Sequence, residues 1–225
     1  MKKTLLIAAS LLLLMTFTTN VKAQEMNTGL DIYSNYVWRG IKFGTGPAFQ
    51  PSIEFSMSGF AIGAWGSYCV SDNEAPEADL YASYGFDLGE EASLTLTVTD
   101  YHFPEPGVEY FNANNHFIEP MIGLGAGPFS FTAAYMFYDG AGTNGNGSGD
   151  IYLELGVTAG PVDIALGGGN GQYSMKPDAG FDISNIGIST SKEVKITDSF
   201  SLPVTGAAIF NPSYNTFNVV VGISL

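Results

Sequence analysis

The chain has 225 residues, 13% of them charged and 13% aromatic, and 22 acidic residues against 8 basic ones give a formal charge of −14. So little Lys and Arg excludes binding to nucleic acid phosphates, and the apolar, aromatic content excludes a disordered acidic tail. A soluble domain carries about 25% charged residues, so part of this surface is expected to meet a solvent other than water, yet no apolar run after the N-terminus reaches the roughly 18 residues of a membrane helix.

Residues 1–23 read as a cleaved export signal. Lys2 and Lys3 give a positive start, Leu5 to Met15 an apolar core, and Val21-Lys22-Ala23 a small-x-small cleavage site. The apolar run is too short for a retained anchor, and no cysteine follows the cleavage point, as a lipoprotein would need. Residues 24–225 are then expected to form one domain, because no linker, charge run or repeat divides them. Cys69 is the single cysteine, cannot form an internal disulfide, and is read as an inert thiol.

From there the chain alternates apolar with small or polar residues, which is the period of a strand and not of a helix. Leu30, Ile32, Tyr36 and Trp38 share one face of the first segment and Asp31, Asn35 and Arg39 the other. Twelve strands are expected, near 29–39, 48–57, 60–69, 77–88, 92–103, 115–125, 128–138, 150–159, 162–170, 181–194, 199–210 and 216–225. In the third, Trp65 falls opposite Phe60 and Ile62, and the tenth breaks phase near Asn185, which predicts a bulge.

Short connections such as Ser58-Gly59, Gly89-Glu90-Glu91 and Gly160-Pro161 alternate with long polar ones at 41–47, 70–76, 104–114, 139–149 and 171–180. All tight turns therefore fall at one end of the sheet. An even number of antiparallel strands of about 10 residues, with short turns at one end and long loops at the other, is the pattern of an outer-membrane barrel. Lipid offers the backbone no hydrogen-bond partners, so such a sheet must close. The predicted fold is all-β, a transmembrane up-and-down antiparallel β-barrel, with Trp38, Tyr84, Phe86, Phe129, Phe137, Phe210 and Phe217 in the interfacial girdles and an apolar C-terminal strand for the barrel assembly machinery. A soluble sandwich or lipocalin-like barrel would need a more charged exterior.

Three stretches carry a resemblance: Ser34-Asn35-Tyr36-Val37-Trp38-Arg39-Gly40, Glu77-Ala78-Asp79-Leu80-Tyr81 and Asp100-Tyr101-His102-Phe103-Pro104. In these the chain resembles the TorF family, catalogued as the conserved hypothetical Gcw_chp family, with Phe103 where the family has a second Tyr. The resemblance implies an outer-membrane barrel of unassigned or porin activity and no catalytic residues.

The lumen face of these strands collects Asp31, Glu54, Glu77, Asp79, Glu119, Glu154 and Asp163, together with Asn35, Arg39 and Tyr81. A low-dielectric wall of one sign concentrates cations. Alternatively these carboxylates pair with Arg39 or accept from Tyr33, Tyr81 and Tyr152 and fill the lumen as a plug; twelve strands lie between the filled barrels of about eight and the open channels of about sixteen, so strand number does not decide. The two histidines, His102 and His116, flank one external loop near Glu105 and Glu109 but have no nucleophilic Ser in their hairpin, so they read as rim residues and not as catalysts. Gly167 to Gly171 lacks the Lys of a phosphate loop and Asp139 to Asp150 lacks the oxygen ligands of a calcium loop. Both read as flexible external loops, and neither cofactor nor metal is expected.

The expected function is passive diffusion of small polar solutes, with a preference for cations, in an outer membrane of lipid and lipopolysaccharide. The other expectations are a closed barrel acting through loop 141–148 and, last, an outer-membrane hydrolase.

Overall fold

The computed structural model describes residues 24–225 apart from 72–75, 105, 106, 108, 141–148 and 176–179. The expected signal at 1–23, Glu105 and loop 141–148 lie outside the described residues. The alternating segments form β1 (Glu25–Tyr33), a short pair β2 (Tyr36–Trp38) and β3 (Ile41–Phe43), β4 (Ala48–Met57), β5 (Phe60–Cys69), β6 (Glu77–Asp87) and β7 (Ala92–His102). They continue as β8 (His116–Ala126), β9 (Phe129–Tyr135) with its extension β10 (Tyr138–Asp139), β11 (Ile151–Ala159), β12 (Val162–Gly169), β13 (Asp182–Lys195), β14 (Ser201–Asn211) and β15 (Thr216–Ser224). Helical structure among the described residues is limited to single 3-10 turns at Ala113–Asn115 and Gly171–Tyr173.

Each wall strand pairs antiparallel with the next, and β1 pairs with β15 through Asp31 opposite Ser224 and Tyr33 opposite Gly222, which closes the ring. With β9 and β10 counted as one bulged strand, the wall is a closed twelve-stranded up-and-down barrel. Closure pairs every edge, which is what a sheet surrounded by apolar solvent requires.

The two faces differ as the period-two reading requires. Ile62, Leu96, Val98, Ile122, Leu155 and Val219 are exposed on the outside. Across the barrel, Gln50, Ser67, Glu77, Asp79, Glu119 and Asn211 are buried. Buried apolar residues are few among the described residues, and Ala134, Tyr152 and Tyr173 form a cluster. An apolar exterior round a polar interior is the outer-membrane type of barrel.

The expected strands from residue 48 onward match within about two residues, and Trp65 faces inward against Tyr36, with ring centroids 5.6 Å apart. The predicted bulge in β13 is present: Gly167 pairs with Asn185 but Gly168 with Ile183, leaving Ser184 as the extra residue.

Two expectations are corrected. The first strand does not run to residue 39. β1 ends at Tyr33, and β2 and β3 form a separate two-stranded hairpin in register Tyr36 with Phe43 and Trp38 with Ile41. Tyr36 and Trp38 therefore belong to the interior and not to the lipid face or its girdle. The Gly167 to Gly169 part of the glycine run is likewise not a loop; it is the buried end of β12. A Cβ at Gly167 would lie 2.1 Å from the Tyr152 hydroxyl and one at Gly169 would lie 2.6 Å from Tyr173 Cδ2, so the missing side chains make room for two lumen tyrosines.

Candidate functional site

The hairpin turns on Arg39 and Gly40, both at positive φ (52° and 83°). This is the two-residue turn whose twist suits a hairpin, and glycine takes it freely whereas an arginine in the left-handed region costs about 1 kcal/mol. The cost is offset where the tip docks. Ser184, the bulge residue, donates its Oγ to the Arg39 carbonyl at 3.3 Å, and Asn211 Nδ2 donates to the Gly40 carbonyl at 3.1 Å. A Cβ at Gly40 would lie 1.8 Å from the Ser184 carbonyl oxygen, so the close approach itself selects glycine. The bulge in β13 thus serves as the socket for the tip.

From that tip Arg39 reaches across the lumen to β8. Its two terminal nitrogens donate to Glu119 Oε2 at 2.6 Å and Oε1 at 2.7 Å, a bidentate pair, and Nη1 also meets the Tyr173 hydroxyl at 2.6 Å. Glu119 further accepts from the hydroxyls of Tyr173 at 2.9 Å and Tyr101 at 3.0 Å. The guanidinium lies 4.4 Å from the Trp38 ring centroid and 4.5 Å from that of Tyr152, with an aromatic face on either side. The ion pair is 9% and 1% exposed, so its desolvation is compensated only because nearly every polar atom is used.

The remaining residues of the acidic set also lie on the inward face. Glu54 accepts from Tyr81 at 2.8 Å; Glu154 accepts from Tyr152 at 2.5 Å and from Asn185 at 2.7 Å; Asp163 accepts from Thr158 at 2.7 Å. Asp31 sits opposite Ser224 at the seam. Glu77 and Asp79 are buried on β6 beside the hairpin. Asn35 lies on the link between β1 and β2, where its side chain donates to the Val219 carbonyl at 3.4 Å. One cavity of about 320 Å³ lies between β2 and strands β4 to β7, and another of about 370 Å³ is lined by Ser130, Glu154, Asp163 and Asn185 among others, away from the hairpin.

Tyr173, Tyr101 and Met121, the partners that complete the clasp round Arg39, have no signal in the sequence beyond the alternation that turns Tyr101 and Met121 inward; Tyr173 comes from a 3-10 turn.

The histidines gather on the other side of the wall. His102 and His116 face each other across the β7–β8 pair on the same side of the sheet as the outward residues, with ring centroids 5.1 Å apart. His116 Nδ1 lies 2.9 Å from both carboxylate oxygens of Asp100, its Nε2 bonds the Tyr110 carbonyl, and His102 Nδ1 meets the Asn115 carbonyl at 3.1 Å. Asp100 is a partner that sequence reasoning missed. The Tyr110 ring stands edge-on to both imidazoles, so the cluster folds the external loop back on the barrel rim. No group of three or more potential metal ligands occurs among the described residues.

Among solved structures, the barrel is similar to outer membrane phospholipase A from Escherichia coli, with 11% identity, a TM-score of 0.41 and 88% of each chain covered. It is similar also to the Salmonella typhi outer membrane phospholipase dimer with bound calcium, with 10% identity, a TM-score of 0.41 and 88% of each chain covered. No curated protein matches the chain. A family model does match over residues 18–202, most of the sequence, and the chain belongs to that family, described as bacterial protein of unknown function (Gcw_chp).

Proposed function

We propose that this protein is an outer-membrane channel for passive diffusion of small polar solutes, selective for cations, whose narrowest section is set by the β2–β3 hairpin. The observation that carries the reading is the charge of the inward face. Asp31, Glu54, Glu77, Asp79, Glu154 and Asp163 line it, while Arg39, the cation that crosses it, is already neutralised by Glu119. A low-dielectric wall of one sign raises the local concentration of the opposite ion. The outward apolar face supports a place in lipid, reached by export through the N-terminal signal and insertion by the barrel assembly machinery.

The test is a planar bilayer with the purified chain and a potassium chloride gradient. Conductance steps with a cation-selective reversal potential are expected; anion selectivity overturns the reading. A specific observation favours a second reading, a closed barrel with a structural or adhesive role: the Arg39 clasp joins opposite walls inside the lumen, near its external end. That reading expects no conductance steps from correctly folded protein. Hydrolysis ranks last: both ring nitrogens of His116 are engaged, and His102, 3% exposed, holds the Asn115 carbonyl through Nδ1.

A further inference from the structure

A second lumen cluster lies apart from the Arg39 clasp. The cavity of about 320 Å³ beside the hairpin has Tyr36 and Trp38 of β2 on one side and Trp65 of β5 and Tyr101 of β7 on the other, with Glu77 and Asp79 of β6 in its wall. The two carboxyl groups are 4% and 6% exposed, and no Lys, Arg or His lines the cavity.

Buried carboxylates without a counter-charge cost several kcal/mol each. Here the internal compensation is incomplete. Tyr36 hydrogen-bonds Glu77, Glu77 and Asp79 are hydrogen-bonded to each other, and the His102 backbone N–H donates to Asp79. Two carboxyl groups in such contact share a proton, and a cation beside them favours the ionised pair. Apart from the neighbouring carboxyl group, Asp79 Oδ1 has no hydrogen-bond partner, an uncommon condition for so buried an atom. Arg39 cannot supply the charge, since its guanidinium is spent on Glu119.

The wall chemistry narrows what can. Aromatic faces carry negative charge density and attract cations, most strongly where water is excluded. A divalent metal takes about six or more oxygen ligands, chiefly carboxylates and carbonyls, and the side chains here supply two carboxyl groups and a few hydroxyls. A neutral sugar could stack on the rings but would leave the carboxylate charge uncompensated. A body that is apolar on its surface and carries one positive charge meets both demands. We propose that this cavity is a binding subsite for small organic monocations of the alkylammonium type, held by Glu77 and Asp79 and by the aromatic wall of Tyr36, Trp38, Trp65 and Tyr101. The inference rests on the channel reading for how the solute arrives, and names the class of solute that lingers there.

The chain has two tryptophans, and both line this cavity, so its tryptophan emission reports occupancy. The refolded full chain in detergent micelles is titrated with tetramethylammonium chloride, with potassium chloride at equal ionic strength and with glucose. A saturable change with tetramethylammonium alone is expected, weakened at least about tenfold in Asp79→Asn, as for loss of a desolvated charge contact. A tetramethylammonium response no larger than that of potassium, or a saturable response to glucose, overturns the proposal. Should Asp79→Asn not fold by heat-dependent gel mobility, the wild-type titrations decide alone. The micelle assay involves no conduction. Bilayer current without an emission response therefore sinks the subsite and leaves the channel, whereas an emission response in protein that passes no current does the reverse.

Discussion

Arg39 and Glu119, 80 residues apart in sequence, hold each other through two hydrogen bonds of 2.6 and 2.7 Å inside the barrel lumen. The pair ties the hairpin between β1 and β4 to the opposite wall. It turns a loop that would otherwise lie outside into an internal partition.

Removing one partner should therefore cost more than a surface ion pair. Arg39→Ala leaves Glu119, 1% exposed, with an uncompensated charge, and a loss of about 3–5 kcal/mol is expected in urea unfolding from vesicles. Arg39→Lys should recover only part, because an ammonium cannot make the bidentate contact or stack between Trp38 and Tyr152. Full recovery by Lys would show that charge alone matters.

Gly40→Ala tests the socket without touching a charge. The added Cβ falls 1.8 Å from the Ser184 carbonyl oxygen, at a φ of 83°. The hairpin should undock while the wall stays intact. Single-channel conductance is expected to rise, with unchanged heat-dependent gel mobility; unaltered conductance would mean that the hairpin does not limit the path.

The acidic lumen sets a direction for selectivity. Glu54→Gln with Glu154→Gln should move the reversal potential toward zero, and the wild-type preference should weaken as salt rises, because charges beyond the Debye length of about 10 Å at 0.1 M are screened. A reversal potential indifferent to both changes would place the selecting charge elsewhere.

Leu155, 58% exposed in the middle of the β11 outer face, tests the solvent round the barrel. Leu155→Arg should cost about 2–4 kcal/mol in lipid. In a barrel surrounded by water the same change would be nearly neutral, so urea titration of vesicle-inserted protein separates the two.

His116 joins Asp100 to the Tyr110 carbonyl at the rim. His116→Ala is expected to loosen the loop after β7, read as faster proteolysis between residues 107 and 115, with bilayer conductance unchanged. Phospholipid hydrolysis by the wild type that disappears in this variant would restore the hydrolase reading.

Most of the wall is legible in the sequence. Strands such as β4 and β11 alternate cleanly because each has one face in an apolar solvent and one in a polar lumen, and that constraint is local to the strand. The phase break near Asn185 revealed the bulge for the same reason. The stretch from Ser34 to Phe43 was not legible. Its alternation continues without a break, since a small hairpin has the same period two as a wall strand, and nothing local says whether it extends the sheet or leaves it. The decision lies with Ser184, Asn211, Glu119 and Tyr173, which meet the tip from 80 to 171 residues away in sequence. Residue order sufficed for a closed barrel with a carboxylate-lined interior, because solvent on either side of a strand acts residue by residue. Only the three-dimensional arrangement made Arg39 a clasp and not one more lumen charge, because that role depends on which distant groups satisfy its donors.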